Sequence, residues 1–175
     1  RHDVVGLRHQ GREVMPNLNR LARRGVKFAR AYTQSTHSDY ADPCIVSSLY
    51  PLRSVRHHYY TRTDPWPKTL IYDLLSRAGY ETAMISASNE KWGGMDQFYE
   101  TPGLGLYYDA ERSGIVRPVD PRDSGFAKEV RSGALRAGSL VDSHVMDVAL
   151  SWLAARQQDG RPFFLQISFQ SSHFP

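Results

Sequence analysis

The chain has 175 residues, the length of one domain, and 41% of them are hydrophobic, enough to bury a core and to exclude a wholly disordered tail. Charges of +22 and −18 leave a net +4, with basic residues scattered (Arg8, Arg12, Arg20, Arg23, Arg24, Arg53, Arg56), which suits an anionic substrate or an anionic membrane and excludes nucleic acid as a partner. The single cysteine, Cys44, excludes an internal disulfide framework and a Cys-based metal cluster, and no apolar run approaches the ~18 residues that span a bilayer.

In chain order, MPNLNRLARRG predicts a helix: Pro16 suits the first turn, Leu18, Leu21 and Ala22 form an apolar stripe, and Gly25 stops it. Val26–Tyr32 (VKFARAY) alternates Val26 and Phe28 with smaller residues and predicts a strand. A polar stretch then leads to PCIVSSLYP, where Pro43 suits the start of a short helix and Pro51 its end. Residues 52–67 are polar and aromatic and predict an exposed loop.

KTLIYDLLSRAGY predicts a second amphipathic helix, with Leu70, Ile71, Leu74, Leu75 and Ala78 on one face and Gly79 as the stop. Glu81–Ala87 predicts a buried strand, and SNEKWGGM a loop after it. Residues 100–137 hold five of the 13 glycines and three of the ten prolines and predict a long surface insertion. A third helix is expected over about Leu140–Arg156, broken by Gly160 and Pro162 before the strand FFLQISF, Phe163–Phe169. Helices alternating with strands imply an α/β fold with a largely parallel sheet and flanking helices. Ligands of such sheets bind at strand carboxyl ends, where Thr33–Asp42, Ser88–Met95 and Gln170–Pro175 supply Ser, His, Asn and Asp.

Within those loops, Ser38 stands just before an expected helix, where unpaired N–H groups and the helix dipole favour an anion and its hydroxyl could attack a phosphate or sulfate ester. The same stretch also suits a plain helix cap made by Ser38, Asp39 or Asp42. His173, past the last strand, could protonate a leaving group or hold an anionic oxygen, or simply be a surface histidine. His57 and His58 point apart and make a poor chelate. Trp92 could wall a pocket beside Asn89 and Lys91, and Asp142, His144 and Asp147 read as solvated helix residues.

Four stretches, taken in order, resemble the sulfatase family of the alkaline-phosphatase superfamily: RHDVVGLRHQGREVMPNLNRLARRGVKFARAYTQS, the block ending SSLYPLR, TLIYDLLSRAGYETAMIS, and RPFFLQISFQSSHFP. The resemblance implies an interior part of a sulfatase-like catalytic domain over 1–175, incomplete at both ends. It also implies a sulfatase-like hydrolase in the intact parent, which attacks a sulfate or phosphate ester with metal assistance. Counting back from Leu49-Tyr50-Pro51, the family's nucleophile falls on Ser38, and His173 matches the substrate-side histidine. Tyr40 and Asp42 stand where the formylglycine signal has Pro and Arg. His37-Ser38-Asp39-Tyr40-Ala41-Asp42 is instead similar to the T-S-D-x-E stretch of the superfamily's phosphoglycerol and phosphoethanolamine transferases. The family's G-K-W-H falls on Ser86, Ala87, Ser88 and Asn89, so its sulfate-binding Lys and His are missing and Asn89 or Lys91 is expected to substitute, with His37 as a further expected substrate-binding residue.

The resemblance further implies a divalent metal, calcium foremost with magnesium, manganese or zinc as alternatives. Ser38 is its expected ligand here, and the other ligands are expected outside Arg1–Pro175. The partner implied is an anionic ester, and the compartment implied is periplasmic, extracellular or membrane-associated. A rival of another class is a degenerate binding domain that kept the fold without the activity.

Overall fold

The computed structural model describes residues 5–50, 68–91, 94–114 and 139–170. Arg1–Thr33 and Gln34–Pro175 are separate compact units. In the first, β1 (Arg8–His9) and β2 (Arg12–Glu13) form an antiparallel hairpin. Its turn residues, Gln10 and Gly11, both take positive φ, as a tight two-residue hairpin turn requires. Helix α1 (Pro16–Arg24) starts on Pro16 and ends with Arg23 and Arg24, cations that complement the carboxyl end of the helix dipole. The expected apolar stripe is not its buried face. Leu21 is exposed, and the buried residue is Asn19, whose Oδ1 accepts the Gly6 N–H at 2.6 Å.

Val26–Tyr32 forms no strand, contrary to the expectation from its alternation. Val26, Phe28 and Tyr32 are 83%, 73% and 86% exposed. Alternation fits a pleat only where a neighbour completes the ladder and a layer covers one face, and among the described residues this segment has neither. The Thr33–Asp42 stretch therefore does not leave a strand.

In the second unit the helix expected from Pro43 begins one turn earlier, as α2 (Ser38–Ser47). Extended His37 caps it, and its carbonyl accepts the N–H groups of Tyr40 (3.1 Å) and Ala41 (2.9 Å). Pro43 then lies inside the helix, which tolerates the loss of one N–H. Helix α3 (Ile71–Arg77) ends at Gly79, whose φ of +86° lets Tyr80 N–H reach back to the Leu75 carbonyl at 3.0 Å. Its buried side chains are Tyr72 and Asp73, whereas Leu74, expected in the apolar face, is exposed. The reason is polar: Asp73 accepts the N–H groups of Leu70 (2.9 Å) and Gly103 (3.0 Å), which turns that side of the helix inward.

β3 (Glu81–Ser86) is the central strand, with β4 (Leu106–Tyr108) and β5 (Phe163–Ser168) parallel on either side. The expected parallel sheet is thus present. β4 lies within the 100–137 stretch; residues 115–137 of that stretch are outside the described ones. Short α4 (Met95–Tyr99) connects β3 to β4, and α5 (Asp142–Asp159) precedes β5. One face of β3 packs Met84 against Val46, Leu70, Tyr72, Met95, Phe98 and Tyr99. The other packs Ile85 and Ala87 against Ala110, Leu140, Val145 and Ala149. Helices on both faces make this a three-layer α/β fold.

Candidate functional site at the carboxyl edge of the sheet

Three parallel strands deliver their carboxyl ends to one edge: β3 at Ser86, β4 at Tyr108 and β5 at Ser168. Ser38 is the first residue of α2, exposed, and its hydroxyl has no hydrogen-bond partner among the described residues. It is not the cap, which falls to His37, and the His37 side chain makes no capping bond. His37 is exposed at the same helix end, its N–H donating to Ser35 Oγ at 3.2 Å. A ten-residue helix presents unpaired N–H groups and the positive end of its dipole to anything bound there.

Asp42, one turn further along α2, lies within electrostatic reach of Glu90 in the loop after β3. Burial pushes the Glu90 carboxyl up to about 7, and Asp42, Asp109 and Asp96 add to the rise. Ser86 Oγ, donating to Glu90 Oε1 at 2.5 Å, opposes it. The Glu90 N–H donates to Asp109 Oδ2 at 3.2 Å, and fully buried Asp109 also pairs with Arg112 at 3.1 Å. Arg112 stacks 3.9 Å over the Tyr107 ring.

Asn89 and Lys91, the expected substrate binders, both meet Glu111. Asn89 Nδ2 donates to Glu111 Oε2 at 3.1 Å, and Lys91 Nζ lies 2.6 Å from Oε1. That pairing lowers the Glu111 pKa and raises that of Lys91.

Asp142 and His144, expected to be solvated, are engaged instead. Asp142 Oδ1 accepts the Gln170 N–H at 2.9 Å, and His144 Nε2 hydrogen-bonds the Tyr108 hydroxyl at 2.8 Å. Gln170 Oε1 in turn accepts from Ser88 Oγ at 2.8 Å, joining the exits of β5 and β3. Sequence reasoning missed Asp109, Glu111, Arg112 and Gln170. The signal was the charged Asp109-Ala110-Glu111-Arg112 run directly after apolar Leu106–Tyr108, masked by the glycines and prolines around it. His173, Trp92, His57 and His58 lie outside the described residues.

This architecture is that of the alkaline phosphatase superfamily. The crystal structure of a superfamily protein from Vibrio parahaemolyticus matches 91% of this chain with a TM-score of 0.65 and 19% identity. The lipoteichoic acid synthase LtaP from Listeria monocytogenes matches 99% of it with a TM-score of 0.69 and 20% identity. The family model described as Sulfatase matches residues 1–175, and the chain belongs to the sulfatase family. In sequence it is 22% identical over 174 residues to a lipoteichoic acid synthase-like protein, YvgJ, of Bacillus subtilis, covering 98% of this chain. The chain spans 25% of that protein's length, and 38% and 36% of the two solved chains.

Members of the family use a divalent metal. Among the described residues, no group of three or more His, Cys, Asp or Glu could hold an ion. Ser38, the expected ligand, has no such group around it, so the described residues do not form a metal centre. No helix among them is long and apolar enough to cross a membrane.

Proposed function

We propose that the protein transfers a phospho group from an anionic ester, with Ser38 as nucleophile, in the manner of a phosphoglycerol- or phosphoethanolamine-type transferase. The observation that carries this reading is the exposed Ser38 hydroxyl at the first residue of a ten-residue helix. Ser38 Oγ forms a bond to phosphorus as the ester O–P bond breaks; the Oγ proton leaves to solvent, and the departing oxygen takes a proton from His173. An acceptor hydroxyl then attacks the phosphoserine and releases Ser38, whereas water in that role makes the outcome hydrolysis.

Transfer is preferred to sulfate hydrolysis for two reasons. Tyr40 and Asp42 lie inside α2 where the formylglycine signal needs Pro and Arg, which leaves Ser38 a plain hydroxyl. Two of the relatives named above are a lipoteichoic acid synthase and a lipoteichoic acid synthase-like protein. The Sulfatase family model favours the second reading, hydrolysis of a sulfate ester. The relatives' names also support a site of action outside the cytoplasm, at or near a membrane.

The test is turnover of paired aryl phosphodiester and aryl sulfate substrates by the full-length protein, with calcium, magnesium, manganese or zinc supplied. Phosphodiester turnover is expected, reduced roughly a thousandfold or more in Ser38→Ala. Sulfate-only turnover moves the protein to the second reading. Turnover unchanged by Ser38→Ala removes the nucleophile assignment, and none with any metal leaves a binding domain.

A further inference from the structure

The Glu111 carboxylate is held as a small oxyanion would be. One oxygen accepts from the Asn89 amide at 3.1 Å and the other sits 2.6 Å from the Lys91 ammonium. Asn89 is only 8% exposed, and its Oδ1 accepts the Lys91 N–H at 3.0 Å, which turns the amide N–H toward Glu111. The Arg112 guanidinium, next in the chain, adds a smaller favourable charge to that of Lys91. An amide donor and an ammonium, each on one of two oxygens, would serve a phosphate or sulfate face equally well.

We propose that Asn89 and Lys91 form an oxyanion subsite that Glu111 fills in the resting protein, and that an anionic ester enters by displacing this carboxylate. The inference rests on the ester-binding reading above and assigns Glu111 a gating role within it. Displacement needs no change of fold. The turn is held by its own backbone, with Ala110 N–H on the Ser88 carbonyl at 3.0 Å and Ser113 N–H on that of Asp109 at 2.9 Å. Only the Glu111 side chain has to swing. The ion pair is also weak enough to yield, since its side chains are 54% and 39% exposed and such pairs shift an equilibrium by no more than about fivefold.

Inorganic phosphate and, separately, inorganic sulfate are titrated onto the protein by calorimetry. Glu111→Gln, which keeps an acceptor for Asn89, is expected to bind the anion about fivefold tighter than the wild type. Adding Lys91→Ala in that background is expected to abolish the gain. Tightening for phosphate alone assigns phosphoryl groups to the subsite, and tightening for sulfate alone assigns sulfuryl groups. No tightening for either, or tightening that survives Lys91→Ala, overturns the proposal.

A wild-type readout covers the case of a variant that does not fold. Saturating anion is expected to return the titration of the Glu111 carboxyl, followed by NMR, toward its ordinary value, and an unchanged titration overturns the proposal. Binding is read without turnover, so this inference can fail while Ser38 remains the nucleophile, and the reverse.

Discussion

The two faces of β3 are built from different chemistry. On one, Met84 packs with Tyr72, Phe98 and Tyr99, and Ser86 faces the same way to meet Glu90. On the other, the buried residues are all aliphatic: Ile85, Ala87, Ala110, Leu140, Val145 and Ala149. The aliphatic face is held by area removed from water, a contribution indifferent to pH. The aromatic face buries hydroxyls and a carboxyl as well, so burial pushes up the pKa values of Glu90, Tyr72, Tyr99 and Tyr107 together. The side of the sheet that reaches the candidate site is therefore also the side whose stability depends on protonation.

The largest effect expected on this contrast comes from Gly103→Ala, behind the aromatic face. A Cβ there would lie 2.3 Å from Asp73 Cα and 2.5 Å from Asp73 N, both backbone atoms that cannot step aside. Gly103 also accepts from Thr82 Oγ1 at 2.5 Å and donates to Asp73 Oδ1 at 3.0 Å, so relief by shifting the loop breaks both bonds. A loss of about 3 kcal/mol in denaturant unfolding is expected. A loss under about 1 kcal/mol would mean that the loop before β4 is not locked to α3.

Glu90→Gln tests the protonation argument directly. In the folded chain the carboxyl titrates near 7 against an ordinary 4.5. Below about pH 4.5 it is protonated in both states and its favourable contribution is complete. As pH rises toward 7 the unfolded chain gives up its proton while the folded one keeps it, so stability falls through that window. The neutral amide removes this loss. Glu90→Gln should match the wild type near pH 4.5 and exceed it by on the order of 2–3 kcal/mol near pH 8. Val145→Ala, on the aliphatic face, serves as control and should cost the same at both pH values.

The sheet was legible in the sequence where apolar runs are buried on both sides. Glu81–Ser86 and Phe163–Ser168 are strands within a residue of their expected limits, and Asp142–Asp159 is a helix ending on Gly160. Legibility failed where a partner rather than a pattern decides. Val26–Tyr32 has the alternation of a strand but no neighbour to pair with among the described residues, and Leu106–Tyr108 has three residues and a long-range pairing with β3 that no local window contains. At the candidate site, Ser38 can be singled out from sequence because its surroundings are local, a polar stretch before a helix. The contacts of Glu111 and Gln170 are not legible there because they form only when the strand ends meet.

The smallest effect expected is also the one that tells the two kinds of burial apart. The Tyr72 hydroxyl donates to Gln166 Oε1 on β5 at 2.5 Å, and its ring lies edge-on to Phe164 at 5.8 Å. Tyr72→Phe keeps the ring contacts and removes one neutral hydrogen bond, so about 1 kcal/mol should be lost. Burial first, and the charge on Glu90 second, hold the phenol protonated well above its ordinary range, so the loss should not vary between about pH 5 and pH 8. Glu90 and Tyr72 act on each other only through charge, and Gln at position 90 has none. The double variant at about pH 5, where Glu90 is protonated, should therefore be additive within about 0.5 kcal/mol. The same additivity should hold near pH 8, because the phenol stays neutral there and an interaction between charges needs both groups ionised. Equal coupling at both pH values would mean that the aromatic face is one hydrogen-bonded network rather than a packed layer carrying a single titrating acid.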